Sequence, residues 1–150
     1  MNLKEKIAED FKQALKSGDT FKRSLLGMLK AAIQNKEIAQ GKKETGLNET
    51  EIMEVVKTEM KKRLDAASAF KNAGDAEKAQ AEESESLILK SYLPPEASEA
   101  DIKMAIEKAI TTSGSKSKKD FGQIMGLAMK ELGISADGNK VKRTLDAILE

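Results

Sequence analysis

The 150-residue sequence contains neither histidine nor cysteine. Because histidine is the commonest general base near neutral pH, nucleophile relays of the Ser/His and Cys/His types cannot be assembled. The lack of cysteine also excludes disulfides and cysteine-based zinc sites, and it permits a reducing compartment without proving one. The sequence has no glycine-rich phosphate loop and no dinucleotide-binding fingerprint. We therefore expect no catalytic residue, no metal and no cofactor.

Proline is nearly absent, and the only two prolines are adjacent at Pro94 and Pro95. They block helix continuation and force an extended segment. We therefore expect a domain boundary there, with one helical unit over residues 1–93 and a second over residues 96–150.

The sequence also lacks a large net charge and a long apolar run. The 26 basic and 25 acidic residues give a net charge of +1, so any site for a polyanion must be local. The best apolar run, SLLGMLKAAI, is interrupted by Lys30, and the first residues contain no apolar stretch of signal-peptide length. We expect a cytoplasmic protein that does not contact the membrane.

The residues that are abundant, alanine, lysine, glutamate and leucine, recur with helical periodicity and predict an all-α fold. We expect an N-terminal four-helix unit, with helices over about 3–17, 20–40, 49–72 and 76–92, followed by a C-terminal three-helix bundle. The predicted buried stripes include Leu15, Phe21, Leu64 and Leu87. Three capping pairs predict helix starts: Asn48 with Glu51, Ser98 with Asp101, and Ser117 with Asp120.

Glu82, Glu83 and Glu85 form the one acidic cluster that suggests carboxylate chemistry. A hard-cation site or an acid–base pair of carboxylates would need such residues. A solvated helix surface is the preferred interpretation, because runs of charge usually have that origin.

Two basic groups lie in the N-terminal part. Arg23 and Lys30 form a row opposite the apolar stripe of the second helix, which is suited either to phosphate or simply to solvent. The group around Arg63 lies beside Glu59 and Asp65, so pairing between residues one helical turn apart favours a structural role.

The most informative basic residues lie at the starts of the last two predicted helices: Lys116, Lys118, Lys119, Lys140, Lys142 and Arg143. Lysines at a helix start are electrostatically unfavourable for folding, since the positive end of the helix dipole lies there. A phosphate backbone would neutralise them and release counterions, whereas the alternative is that they only increase solubility.

Gly122 and Gly126 lie inside the sixth predicted helix, where each glycine costs about 1 kcal/mol relative to alanine. Such glycines indicate either a close approach to the helix backbone or tolerance without function. For Gly126, packing within the chain is the preferred explanation.

Five segments in this order, RSLLGMLKAAIQNKEI, KKRLDAASAFKNAG, SYLPPEASEADI, DFGQIMGLAMKEL and ADGNKVKRTL, resemble the YqeY family of small bacterial proteins. The C-terminal part of that family is similar to the tail domain of the B subunit of the tRNA-dependent amidotransferase (the GatB/YqeY domain), which contacts tRNA while other domains catalyse. The resemblance implies a helical module that handles tRNA without amidotransferase chemistry. Gly122 and Gly126 match glycines of the family, whereas Ile134 and Ser135 replace a segment that is commonly basic.

Three functions follow from these observations. The first is a non-catalytic module that binds tRNA or assists an aminoacyl-tRNA pathway through Lys116, Lys118, Lys119, Lys140 and Arg143. The second is a protein–protein adapter that uses the bundle face or the Arg23/Lys30 row to bind a tRNA-modifying enzyme or another partner. The third is a carbon–nitrogen ligase with glutamine as amide donor, which is the family label and the interpretation that we rank last.

Overall fold

The computed structural model describes residues 1–149, and within them the chain is all-α, as predicted. Its helices are α1 (Leu3–Ser17), α2 (Thr20–Ala39), α3 (Glu49–Asn72), α4 (Ala76–Lys90), α5 (Glu99–Ser113), α6 (Phe121–Leu132) and α7 (Gly138–Ile148). Two short 3-10 helices, Lys118–Asp120 and Gly133–Ser135, flank α6. Over residues 1–149, no helix is long and apolar enough to cross a membrane.

Side-chain caps begin most of the helices where the sequence predicts them. Asn48 and Glu51 cap α3 reciprocally, each side chain accepting from the backbone N–H of the other residue, and Ser98 and Asp101 do the same at α5. The predicted cap at Ser117 is wrong. Its side chain caps nothing, because the backbone N–H of Asp120 donates to the carbonyl oxygen of Ser117 and the carboxylate of Asp120 accepts from the hydroxyl of Ser115.

The chain divides into two compact units, residues 1–93 and the residues from Pro94 onward. Helices α1 to α4 lie in the first unit, and α5 to α7 lie in the second. Leu26, Leu29 and Val56 are fully buried in the core of the first unit, and Ile106 and Ile124 in that of the second. Each unit therefore has an apolar core of its own, which is the condition for independent folding.

Four side chains that were predicted to be buried are exposed: Leu15, Phe21, Leu64 and Leu87, by 41% to 66%. Leu15 and Leu87 directly follow the buried residues Ala14 and Ser86, so their side chains point away from the core, whereas Leu64 lies beyond Met60, the last residue of α3 that packs against it. Of the described residues, the core of the first unit includes none between positions 61 and 87. We call this paired part of α3 and α4 the α3–α4 arm.

Ion pairs hold the α3–α4 arm together. The guanidinium of Arg63 on α3 lies 3.8 Å from Glu82 and 3.7 Å from Glu85 on α4, and 3.8 Å from Glu59 on its own helix. Lys71 pairs with Glu83. The prediction of a solvated acidic surface is therefore wrong, whereas the predicted internal pairing of Arg63 with Glu59 is confirmed.

Burial raises the pKa of Glu85, and the charge of Glu82 raises it further, while Arg63 opposes both effects. We predict that Arg63→Ala lowers the free energy of unfolding of the first unit by about 2 kcal/mol at neutral pH, because three carboxylates lose their shared cation. A group with a raised pKa destabilises the fold as it ionises, so the loss should shrink as the pH falls towards 4.5, the ordinary value for glutamate.

Urea unfolding at neutral and mildly acidic pH measures this difference, with Lys61→Ala as the control. Lys61 is an exposed cation on the same helix and makes no ion pair with any described residue. An equal loss for Arg63→Ala at both pH values would show that its packing, and not its charge, stabilises the arm.

A second polar contact fixes the end of the first unit. The hydroxyl of Tyr92 donates a hydrogen bond of 2.6 Å to the carboxylate of Asp10 on α1. Burial raises the pKa of Asp10, but the hydrogen bonds from Tyr92 and Lys6 outweigh it and hold the pKa below its usual range. The contact ties the segment before Pro94 to α1.

We predict that Tyr92→Phe lowers the free energy of unfolding by about 1.5 kcal/mol, since it removes a hydrogen bond to a charged group. A lowered pKa contributes stability above the unfolded-state value, near 3.8 for aspartate, and this contribution disappears as the pH falls through the folded-state value. The melting temperatures of the two proteins should therefore converge under strongly acidic conditions. A constant difference would contradict a role for the Asp10 carboxylate.

Candidate nucleic-acid interface

One face of helix α6 has no side chains at two successive turns, because both positions are glycines. Gly122 and Gly126 are exposed, and a Cβ added at either position would meet no atom within 4 Å. Ile124 and Ala128, which are fully buried, lie on the opposite side of the helix. Packing within the chain therefore does not explain Gly126, and that prediction is wrong because the position lies roughly 200° around the helix from Ile124.

Two lysines extend this face at its ends. Lys119, in the 3-10 helix that leads into α6, lies three residues before Gly122, and Lys130 lies one turn after Gly126. Both are exposed, and neither makes an ion pair with any of residues 1–149. We call this row, Lys119, Gly122, Gly126 and Lys130, the glycine face. The sequence analysis missed Lys130, although its spacing of four residues from Gly126 was the signal that would have found it.

Three predicted site residues, Lys116, Lys118 and Lys119, lie together in the short segment that enters α6. Hydrogen bonds fix this segment, because the Ser115 hydroxyl contacts Asp120 and the Ser117 N–H donates to the Ser115 hydroxyl at 3.1 Å. The three ammonium groups are exposed and form no ion pair within the part of the chain that the structure describes. The amino end of α6 therefore has a local excess of positive charge.

Lys140 and Arg143 lie on α7, which begins beside the other end of α6. A Cβ added at Gly138, the first residue of α7, would lie 3.8 Å from the methyl group of Met129. The link between the two helices, residues 133–137, includes the compact 3-10 helix Gly133–Ser135, and α7 therefore begins near the carboxyl end of α6. The start of α7 is thus separated from the first lysine group by about the length of α6, roughly 18 Å.

The surroundings of Lys140 reduce its availability. Its ammonium group lies 3.1 Å from a carboxylate oxygen of Glu96, whereas Arg143 is exposed and makes no ion pair among the described residues. Both line an open hollow of about 470 Å³ that also contains Ser98 and Glu99. Because Glu96 and Glu99 bring negative charge to this end, the amino end of α6 is the more cationic of the two.

The second basic row belongs to the first unit. The ammonium group of Lys30 lies 4.5 Å from the ring centroid of Phe11, while Arg23 is exposed and unpaired within residues 1–149. The acidic cluster is a different case, since Arg63 and Lys71 bind its carboxylates. Over the described part of the chain, no group of three or more acidic side chains is arranged to hold a metal ion.

No curated protein matches the sequence. The family model described as Yqey-like protein matches residues 4–149, which is essentially the whole chain. The chain therefore belongs to the YqeY family.

Proposed function

We propose that the second unit binds the sugar–phosphate backbone of a structured RNA, that tRNA is this RNA, and that the protein assists an aminoacyl-tRNA pathway without catalysing a reaction. The observation that carries the proposal is the glycine face of α6, with unpaired lysines at both of its ends. Lys116, Lys118 and Lys119 provide the strongest positive potential at the amino end of the helix.

The glycine face is suited to a phosphate backbone for a steric reason. Without a Cβ at Gly122 and Gly126, a chain of phosphates can approach the helix backbone over two successive turns. Lys119 and Lys130 are separated by eleven residues, which corresponds to about 16 Å along a helix. Their flexible side chains can then pair with phosphates on either side of the close contact.

The same unit is poorly suited to read bases. From Pro94 onward the only aromatic residue is Phe121, and it packs against the apolar core. Recognition of unpaired bases usually depends on stacking against aromatic side chains, whereas double-stranded RNA is recognised by its shape and its backbone. The proposed ligand is therefore a folded RNA with helical segments.

Arg143 and Lys140 form a secondary contact in this proposal. The start of α7 lies about 18 Å from the first lysine group, a distance that the backbone of a folded RNA spans easily. Arg143 provides the unpaired charge there, while Lys140 must break its ion pair with Glu96 before its ammonium group binds a phosphate. The resemblance of this region to the tail domain of the amidotransferase B subunit favours tRNA as the folded RNA.

Competition binding tests the proposal. Labelled bulk tRNA is bound to the full chain at low ionic strength and then displaced by duplex RNA or by polyuridine. We expect duplex RNA to compete well and polyuridine to compete poorly, because shape and backbone provide the recognition. Equal competition by both would contradict shape recognition, and an absence of tRNA binding would contradict the whole proposal.

A further inference from the structure

A groove runs between α1 and α2 in the first unit, remote in sequence from the proposed RNA site. It has a volume of about 430 Å³, within the range of binding clefts. Its walls are mainly apolar and include Ile7, Ala8, Phe11, Gly27, Ala31 and Ile33.

The groove is deep at its centre because the residues there are small. A Cβ added at Gly27 would lie 3.5 Å from the ring of Phe11, and the neighbouring wall residues Ala8 and Ala31 have only a methyl group. Phe11 is itself only partly buried, so part of an aromatic ring lines the groove. This shape accepts another helix, since small residues allow close approach of two helix backbones.

The unpaired charge around the groove is positive. Its only carboxylate, Glu37, is buried and binds the ammonium group of Lys4 at 2.7 Å. Lys30 lies over the Phe11 ring, and Arg23 lies one helical turn before Gly27 on the same side of α2. Neither of these two cations forms an ion pair with any described residue.

We propose that this groove binds an acidic amphipathic helix of a partner protein. Arg23 and Lys30 are seven residues apart, which places them two helical turns, or about 10.5 Å, from one another along α2. A partner helix with two carboxylates at the same spacing pairs with both cations. Small apolar side chains between those carboxylates then cover Gly27, Ala31 and the ring of Phe11.

Other classes of ligand fit the groove less well. A nucleic-acid backbone carries no apolar group to cover the floor, and the groove has no cluster of buried polar groups to orient a small molecule. This inference does not depend on RNA binding by the second unit. Its failure and that of the proposed function are distinguishable, because the two sites share no residue.

A designed peptide provides the probe. It is a capped helical peptide of about 18 residues, with two glutamates seven positions apart and alanine and leucine on the same face between them. We expect it to bind the full chain, and the double reversal Arg23→Glu/Lys30→Glu to weaken binding about tenfold or more. A second peptide with lysines in place of the glutamates should bind this variant better than it binds the unaltered protein.

Two further variants separate the groove from general effects of charge and folding. Lys61→Glu makes the same type of charge change at an exposed, unpaired position of α3 and should leave peptide affinity unchanged. Gly27→Ala should retain the fold, because its added methyl group makes only an ordinary van der Waals contact with Phe11. It should weaken peptide binding, because the methyl group makes the groove shallower.

Three results would overturn the proposal. The first is no binding of the acidic peptide to the unaltered protein, and the second is an equal loss of binding in Lys61→Glu. The third is displacement of the peptide by tRNA that persists in Lys118→Glu/Lys119→Glu, since the groove would then be a nucleic-acid site. Binding with the expected loss, and its recovery by the lysine peptide, would support an acidic helix as the occupant.

Discussion

Reversing two charges at the amino end of α6, by Lys118→Glu and Lys119→Glu, should lower the affinity for tRNA at least tenfold at low ionic strength. Both ammonium groups are exposed and unpaired among residues 1–149, so their loss removes attraction without breaking a contact within the protein. The new carboxylates also repel phosphate. The logarithm of the binding constant falls with the logarithm of the salt concentration, and this slope becomes less steep by about 0.9 for each phosphate contact that is lost. The loss of two contacts should therefore change the slope by about 2.

Lys103→Glu is the matched control for this variant. Lys103 lies on α5 in the same unit, is exposed, and makes no ion pair within the described part of the chain. Lys103→Glu makes the net charge more negative, as the double variant does, but at a position outside α6. If Lys103→Glu weakened tRNA binding, per charge reversed, as much as the double variant does, the interaction would be non-specific attraction, and the proposed site would be wrong.

Replacing both glycines of the glycine face, by Gly122→Ala and Gly126→Ala, should make the protein more stable and a poorer RNA ligand. Alanine is favoured over glycine in a helix by about 1 kcal/mol, and the added methyl groups meet no atom of the chain within 4 Å. We expect up to about 2 kcal/mol of stabilisation, which corresponds to a rise in melting temperature of at most about 8 to 16 °C for a unit of this size. The same methyl groups should hold a phosphate backbone away and lower tRNA affinity about fivefold.

Thermal unfolding and tRNA binding by the same preparation measure these two effects together. Their opposite signs make the test sharp, because damage to the fold would lower both stability and affinity. Stabilisation with unchanged affinity would show that the glycines are not a contact surface and would contradict the close approach of phosphates to α6.

The sequence predicts the helices well because their signals are local. The capping pair of Asn48 and Glu51 lies within four residues, and both the cap and the start of α3 are confirmed. The same logic failed at Ser117, where Ser115, two residues earlier, competes successfully for Asp120. A short polar segment with several serines can form more than one set of hydrogen bonds, and the sequence does not show which set is the most stable.

Contacts between helices were less predictable. Arg63 and Glu82 are nineteen residues apart, and their meeting depends on the register of α3 against α4, which the sequence does not contain. The exposure of Leu64 has a related cause, since it lies on the arm, beyond the apolar core of the first unit. Periodicity identifies the apolar face of a helix but not how far the neighbouring helices extend along it.

The candidate site was predicted in part. The sequence identified the lysines before α6, and their exposure without ion pairs agrees with a binding role. It did not indicate that the short link between α6 and α7 separates them from Lys140, or that Glu96 pairs with Lys140. The preference for packing at Gly126 is wrong because this position lies about 200° around the helix from each of the buried residues Ile124 and Ala128.

The most direct test of the central claim is the equilibrium binding constant of the full chain for bulk tRNA, measured between about 50 and 200 mM salt. Five unpaired cations, Lys116, Lys118, Lys119, Lys130 and Arg143, carry the proposed contacts. We predict binding at low salt, with the logarithm of the binding constant falling against the logarithm of the salt concentration with a slope of about −4.5. An absence of binding at the lowest salt concentration, or a slope near zero, would contradict recognition of the RNA backbone by this unit.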